Sequence, residues 1–331
     1  MKKILVTGAD GQLGQELQRS SFIEGAVFLS YNKQELDITS YSKLKKLILE
    51  IKPTHIINFA AYTDIDKAET ESKKTFLVNS TGVKNIALLC KEFDIKLIHL
   101  STNYVYDGEK EIYTENDETN PVNIYGKSKL EGELEIIKSG CLYVILRTSW
   151  IYSNYENNFY INMLLLSQKT SEINIVNDQF SSPTSTKEIS RAIDIILDKD
   201  INLENSGIYN FSGLGRTTWA EFALEIFKQS KIPIVINATP NKKNVKRPLS
   251  TYMSCNKFAT TFNYTPLHWK TALTEIIAEK KISPIKVGYL VEIEDEKCII
   301  AAVDWSKKEC VISKLKDMNK YYVLEFKNLL S

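Results

Sequence analysis

Over the first 150 positions, short apolar runs alternate with stretches whose apolar residues recur at helical spacing. Lys3–Thr7 is a brief apolar run that meets a glycine-rich turn and then a helical stretch through Arg19. Ala26–Ser30 is a second run. Tyr41–Ile51 sets Leu44, Leu47, Ile48 and Ile51 on one helical face and stops before Pro53. His55–Ala60 reads as a buried strand, Lys73–Phe93 as one long helix, Lys96–Ser101 as a strand, Ile124–Lys138 as a helix and Leu142–Thr148 as a strand. Strands apolar on both faces, alternating with helices, make a parallel sheet covered on both sides. The predicted class is α/β: a Rossmann-like doubly wound parallel sheet, which binds ligands at the carboxyl ends of its strands.

After residue 150 the alternation loosens into polar segments, Asn177–Thr186, Gly207–Thr218 and Thr239–Pro248, of the kind that carries binding function. From Lys286 the texture changes again. Val287–Glu294, Cys298–Asp304, Glu309–Leu315 and Tyr321–Phe326 are short β-rich runs between charged turns. Three domains are expected. Residues 1–150 form a nucleotide-binding Rossmann domain, to which residues 186–215 return. Residues 151–282 form a smaller α/β substrate domain, and residues 283–331 a small β-rich appendage, SH3-like. So small a unit has little core of its own and is expected to dock on the rest of the chain, a second copy or a partner protein.

Composition narrows the classes. The 331 residues carry 42 basic and 41 acidic side chains, a net charge of +1, which gives no bulk electrostatic case for nucleic acid or an anionic membrane. No run approaches the roughly 18 apolar residues of a membrane span. The apolar run in MKKILVTGADG is too short for a secretion signal. Cys90, Cys141, Cys255, Cys298 and Cys310 are scattered without a CxxC pair, as free thiols of a reducing cytoplasm would be. His55, His99 and His268 show no metal-ligand spacing, so no metal is expected.

Candidate chemistry begins at Gly8, Gly11 and Gly14, a GxxGxxG at a strand-to-helix junction. Bare backbone there lets a diphosphate approach, and the helix N-terminus offers it N–H groups and positive dipole. The second strand ends Phe28, Leu29, Ser30, Tyr31, Asn32, Lys33 without the carboxylate that would grip an NAD ribose, so NADPH is favoured and NADH is the second choice. Asp37 reads either as a ribose ligand or as an acid near a helix N-terminus. Tyr125 and Lys129 form YxxxK, and a spacing of four puts both on one helix face. A neighbouring ammonium is expected to lower the phenol pKa for proton transfer. Upstream, Ser101 and Thr102 end a strand of the same sheet, and either hydroxyl could hold a carbonyl oxygen. Asn79 could support a water or the lysine.

These motifs resemble the dTDP-4-dehydrorhamnose reductase family of the extended short-chain dehydrogenase/reductases. The resemblance runs in order over about residues 1–280: VTGADGQLGQEL (6–17), LDIT (36–39), NFAAYTDIDKAE (58–69), STNYVYDG (101–108), PVNIYGKSKLEGE (121–133), LRTSWIY (146–152), NDQFSSPTSTKEI (177–189), GIYNFSG (207–213) and RPLSTYMSCNKF (247–258). It implies reduction of the C4 ketone of a nucleotide-linked 4-keto-6-deoxy sugar, for surface polysaccharide synthesis. By resemblance Thr102 binds the ketone, Tyr125 protonates the alkoxide, and Lys129 assists the tyrosine and holds the nicotinamide ribose. Gly8, Gly11, Gln12, Leu13 and Gly14 would follow the diphosphate, Asp37 and Ile38 the adenosine half, and Ala60, Ala61 and Tyr62 the cofactor ribose and diphosphate. Thr63, Ile65, Asn103, Tyr104 and Trp150 would line the sugar pocket, with Arg247 on the diphosphate of the sugar nucleotide.

Two departures stand out. Asn103 occupies a position where the family commonly has Asp, and the chain beyond about residue 283 has no family counterpart. Glu16 matches one position of a metal-bridged dimer in some members, but reads here as a surface helix acid. The alternatives are another sugar-nucleotide enzyme of the superfamily or a non-catalytic NADP-binding regulatory subunit. A dehydratase is disfavoured because it would place a carboxylate at Asn103, and an epimerase would not consume its cofactor. The intact Thr102, Tyr125 and Lys129 argue against a purely regulatory protein.

Overall fold

The computed structural model describes residues 2–20, 23, 25–155, 158–241 and 244–280, together with four strands further on. Strand β1 (Lys2–Thr7) leads into helix α1 (Gln12–Ser20), then come β2 (Ala26–Tyr31), α2 (Tyr41–Ile51) and β3 (His55–Asn58). A short helix α3 (Ile65–Ala68) precedes α4 (Ser72–Phe76), a π-helical segment Leu77–Gly82 and α5 (Val83–Glu92). Next are β4 (Lys96–Thr102), α6 (Ile124–Ser139) and β5 (Tyr143–Thr148). The later part holds β6 (Ile151–Tyr152), α7 (Phe159–Ser167), β7 (Glu172–Val176), β8 (Phe180–Ser181), β9 (Thr184–Ser185) and α8 (Thr186–Lys199). It closes with β10 (Gly207–Asn210), β11 (Thr217–Thr218), α9 (Trp219–Ser230), β12 (Val235–Thr239), α10 (Asn256–Phe262) and α11 (Trp269–Lys280).

Six strands form a parallel sheet in the order β10-β5-β4-β3-β1-β2. The order reverses at β1, which makes a crevice at the carboxyl ends of β1 and β3. Alternate residues of each strand serve opposite faces. Ile4, Val6, Ile57, Ile98 and Leu146 pack with Leu13 and Leu17 of α1, Ile189 and Ile193 of α8, and Phe258 of α10. Leu5, Ile56, Leu97 and Ile145 pack with Leu44, Ile48, Ile86, Leu89 and Ile136.

Two expectations change, and the polar segment Gly207–Thr218 contributes a strand. Its first four residues pair with β5 from Gly207↔Val144 to Asn210↔Arg147 as an edge strand too short to announce itself by periodicity. The long helix between β3 and β4 is interrupted by the π-helical segment, which has no signature in composition. Glu16 is buried, not on the surface, and accepts a hydrogen bond from Thr186 Oγ1 at 3.0 Å.

Residues Met1–Thr274 form one compact unit and Glu275–Ser331 a second. Within the second, β13 (Leu290–Ile293), β14 (Glu296–Asp304), β15 (Glu309–Lys314) and β16 (Asp317–Glu325) make an antiparallel meander. An SH3-like closure would depend on the connecting segments, which lie outside the described residues.

Candidate active site

The carboxyl edge of the sheet begins at Gly8, whose φ of +74° suits glycine. A Cβ on Gly8 would meet Ala60 N at 2.7 Å, and one on Gly14 would meet the backbone of Ala9 and Gly8 at 2.6 Å. Both positions leave the start of α1 bare, with leading N–H groups that have no partner inside the helix. Gly11 donates its N–H to Gly8 O at 3.2 Å and closes the turn. Leu13 sends its side chain into the core, so only its backbone faces the turn. Gln12 accepts from Ser153 Oγ at 3.0 Å, tying the turn to the segment after β6. This is a cradle that fits a dinucleotide diphosphate. Replacing Gly14 by Ala should push α1 off the turn, weaken NADPH binding at least tenfold in a fluorescence titration, and lower Tm.

Asp37 anchors a local turn. Its Oδ1 accepts from Thr39 N at 2.9 Å and Thr39 Oγ1 at 2.8 Å, a turn leading into α2. Against a desolvation penalty, these bonds, with Lys33 and Lys43, hold the carboxyl below its usual range. The buried Ile38 lies where a Cβ on Gly82 would meet its Cγ1 at 2.7 Å, so Gly82 admits that side chain against the π-helical segment. Ala60, Ala61 and Tyr62 are half-buried just past β3. Asn79 in the π-helical segment accepts from Tyr62 N at 2.8 Å and donates to Tyr62 O and Ser128 Oγ, each at 3.0 Å. Asn79 therefore pins the loop after β3 rather than supporting Lys129 directly.

Thr102 is the last residue of β4, buried, and its Oγ1 accepts from Tyr104 N at 3.1 Å. Tyr125 is the second residue of α6, whose cap Asn123 accepts from Gly126 N at 2.8 Å. A Cβ on Gly126 would meet Tyr104 O at 2.2 Å, so only glycine lets the first turn of α6 lie against the end of β4. That approach brings the Tyr125 phenol onto Thr102. Burial pushes the phenol above its usual pKa, and the hydrogen bond with Thr102 opposes it. The sequence argument expected a lowered phenol; burial reverses the direction.

Lys129 lies one turn further, buried, and donates from Nζ to Leu100 O at 2.6 Å, with His99 Nε2 at 3.4 Å. Burial pulls the ammonium down to about 8, against the upward pull of Glu133. His99 is held from the other side by Asn58 at 2.9 Å, and Asn58 by Thr7 Oγ1 at 2.6 Å. Ser101 does not face the edge. It donates to Glu133, which also takes Arg147 Nη2 at 2.6 Å. The sequence argument left Ser101 and Thr102 open; Ser101 is engaged by Glu133, while Thr102 ends β4 on the side of Tyr125.

The sugar-pocket candidates separate. Asn103 is buried and donates to Ser181 Oγ at 3.0 Å and Thr251 Oγ1 at 2.6 Å. Its amide hydrogens thus fasten β4 to later segments. Tyr104 sits edge-on to Tyr125, with ring centroids 5.9 Å apart. Burial raises the Tyr104 phenol to about 12, with the charge of Arg247 acting the other way. Arg247 also donates to Asp66 Oδ1 at 2.7 Å. Its Nη1 is buried without a hydrogen-bond partner. Thr63 is exposed, and Ile65 opens α3 behind the cap Asp64. Trp150 follows β5 with φ of +44° and stacks on Trp219 at 3.7 Å. Glu133, His99 and Trp219 were missed as site residues. Only Glu133 left a sequence signal, four positions past Lys129 on the same helix face.

A glycine turn at the sheet's switch point and Thr102, Tyr125 and Lys129 at its carboxyl edge mark a Rossmann-type protein of the short-chain dehydrogenase/reductase kind. Known proteins agree. Residues 1–282 match the family model described as the RmlD substrate binding domain. A dTDP-4-dehydrorhamnose reductase from Sinorhizobium fredii is 34% identical over 287 residues, covering 83% of this chain and 96% of that protein. One from Aggregatibacter actinomycetemcomitans is 35% identical, covering 84% and 99%. A crystal structure of the reductase from Bacillus anthracis in complex with NADP superposes with a TM-score of 0.80 at 32% identity, covering 84% of this chain and 99% of that one. The chain belongs to the RmlD substrate-binding domain family, among relatives named dTDP-4-dehydrorhamnose reductase. A UDP-glucose 4-epimerase from Thermus thermophilus, 16% identical with a TM-score of 0.71, shares the fold.

Proposed function

We propose that this protein reduces the C4 ketone of a nucleotide-linked 4-keto-6-deoxy sugar with NADPH. The observation that carries the reading is the placement of Thr102 at the end of β4 with Tyr125 and Lys129 on the first turns of α6, Lys129 Nζ anchored on Leu100 O, at the same sheet edge as the Gly8 turn. Bound NADPH supplies the hydride. Thr102 Oγ1 donates to the ketone oxygen and fixes it beside Tyr125, which gives its proton as the oxygen becomes an alkoxide. Lys129, anchored on Leu100 O, sets a positive charge behind the tyrosine. The free Nη1 of Arg247 suits a phosphate oxygen of the sugar nucleotide.

NADPH is the first choice of cofactor, because the Asp37 carboxylate is engaged by Thr39 and Lys33 is exposed near the tip of β2. The epimerase alternative needs a cofactor that is not consumed. The reading is tested by incubating the full chain with NADPH and a panel of dTDP- and UDP-linked 4-keto sugars, with the product followed by NMR. Stoichiometric NADPH oxidation and a new C4–H are expected. NADPH binding without turnover of any of the panel would sink the reductase reading. Activity should also fall on the alkaline side with a limb near 8, as Lys129 gives up its charge with rising pH.

A further inference from the structure

Trp150 takes a left-handed backbone, φ +44°, that a bulky side chain seldom adopts. Something must hold it. Its carbonyl accepts from Thr184 N at 3.2 Å, and its indole lies on that of Trp219, centroids 3.7 Å apart and planes 16° from parallel. Trp219 is itself fixed on three counts. It is the first residue of α9, behind a complete capping box of Thr218 and Glu221. Its Nε1 donates to the buried Gln179 Oε1 at 3.3 Å, and Phe159 packs on its ring at 4.5 Å.

Gln179 directly precedes β8, and β8 pairs with β11, whose last residue is the cap Thr218. The same β8 carries Ser181, the acceptor of the Asn103 amide beside Thr102. One short ribbon thus sets Trp219 at one end and touches the catalytic strand at the other.

We propose that Trp219 is a positioning residue for the sugar pocket, acting through Trp150. The two indoles form a single stacked wall, in which Trp219 holds the Trp150 ring in the one orientation that presents a flat face to the deoxysugar. This inference rests on the reductase reading above. It separates sugar recognition from cofactor recognition, because neither indole belongs to the Gly8 cradle.

The test is a mutant cycle on the full chain with NADPH and the 4-keto sugar nucleotide that the wild type turns over. Trp219→Ala should raise KM for the sugar nucleotide about tenfold, leave the NADPH Kd unchanged, and abolish the exciton circular-dichroism band of stacked indoles. Trp219→Phe, which keeps a ring to stack on, should recover most of the KM. Adding Trp219→Ala to Trp150→Ala should cost nothing beyond Trp150→Ala alone. Additive losses in the double variant, or a weakened NADPH Kd in Trp219→Ala, would overturn the role of Trp219 while leaving the reductase standing. A wild type that oxidises NADPH with none of the sugars overturns the reductase reading itself, whatever the indole band shows.

Discussion

Tyr125→Phe should lower sugar-dependent NADPH oxidation by roughly 10²–10⁴, the usual worth of a positioned general acid. The change removes one oxygen and leaves the ring against Tyr104, so the site keeps its shape. NADPH affinity should stay within twofold, since the Gly8 cradle is untouched. The loss should appear in kcat and kcat/KM alike, the pattern of an interaction made in the transition state. A variant that keeps more than a tenth of wild-type turnover would mean that another group delivers the proton, and Thr102 would be the first to suspect.

The second large effect concerns stability. Arg147 and Glu133 are both almost wholly buried, joined by Nη2 to Oε2 at 2.6 Å and Nε to Oε1 at 3.1 Å, a forked pairing. Arg147 also donates to Tyr106 Oη at 2.8 Å, and Ser101 donates to Glu133. Arg147→Leu would strand a carboxylate in the core, at a cost of roughly 3–5 kcal/mol. Tm should drop by about 10 °C. Leu at both positions should recover much of that loss, because an apolar pair of similar volume often replaces a buried ion pair without penalty. Glu133 also pulls the Lys129 ammonium upward. The doubly apolar protein should therefore fold well and yet lose its alkaline activity limb at a lower pH than the wild type. Equal pH profiles would show that Glu133 serves the fold alone.

What the sequence could and could not disclose divides along physical lines. Strands β1 to β5 announce themselves because a parallel strand buried on both faces must be a run such as Ile4, Leu5 and Val6. The glycine turn, Thr102 and the YxxxK pair were legible because chemistry restricts which residue types stand at such a junction. Strand β10 was not, since four residues carry too little pattern and only pairing with β5 defines them. The direction of the Tyr125 pKa was misjudged because a spacing of four reveals the neighbour but not the depth of burial. Nothing in the order of residues marks Trp219, 69 positions after Trp150, as its stacking partner. The role of Asn103 also escaped, because nothing in the sequence brings Ser181 and Thr251, which take its amide hydrogens, next to it.

That last residue limits what can stand in its place. The side chain of Asn103 spends its hydrogens on Ser181 and Thr251. A carboxylate there would have none to give, and both hydroxyls would have to turn their own hydrogens inward. Asn103→Asp would thus reverse the hydrogen-bond polarity across the junction while leaving Ser181 and Thr251 in place, and a small drop in Tm would report the cost of turning the two hydroxyls.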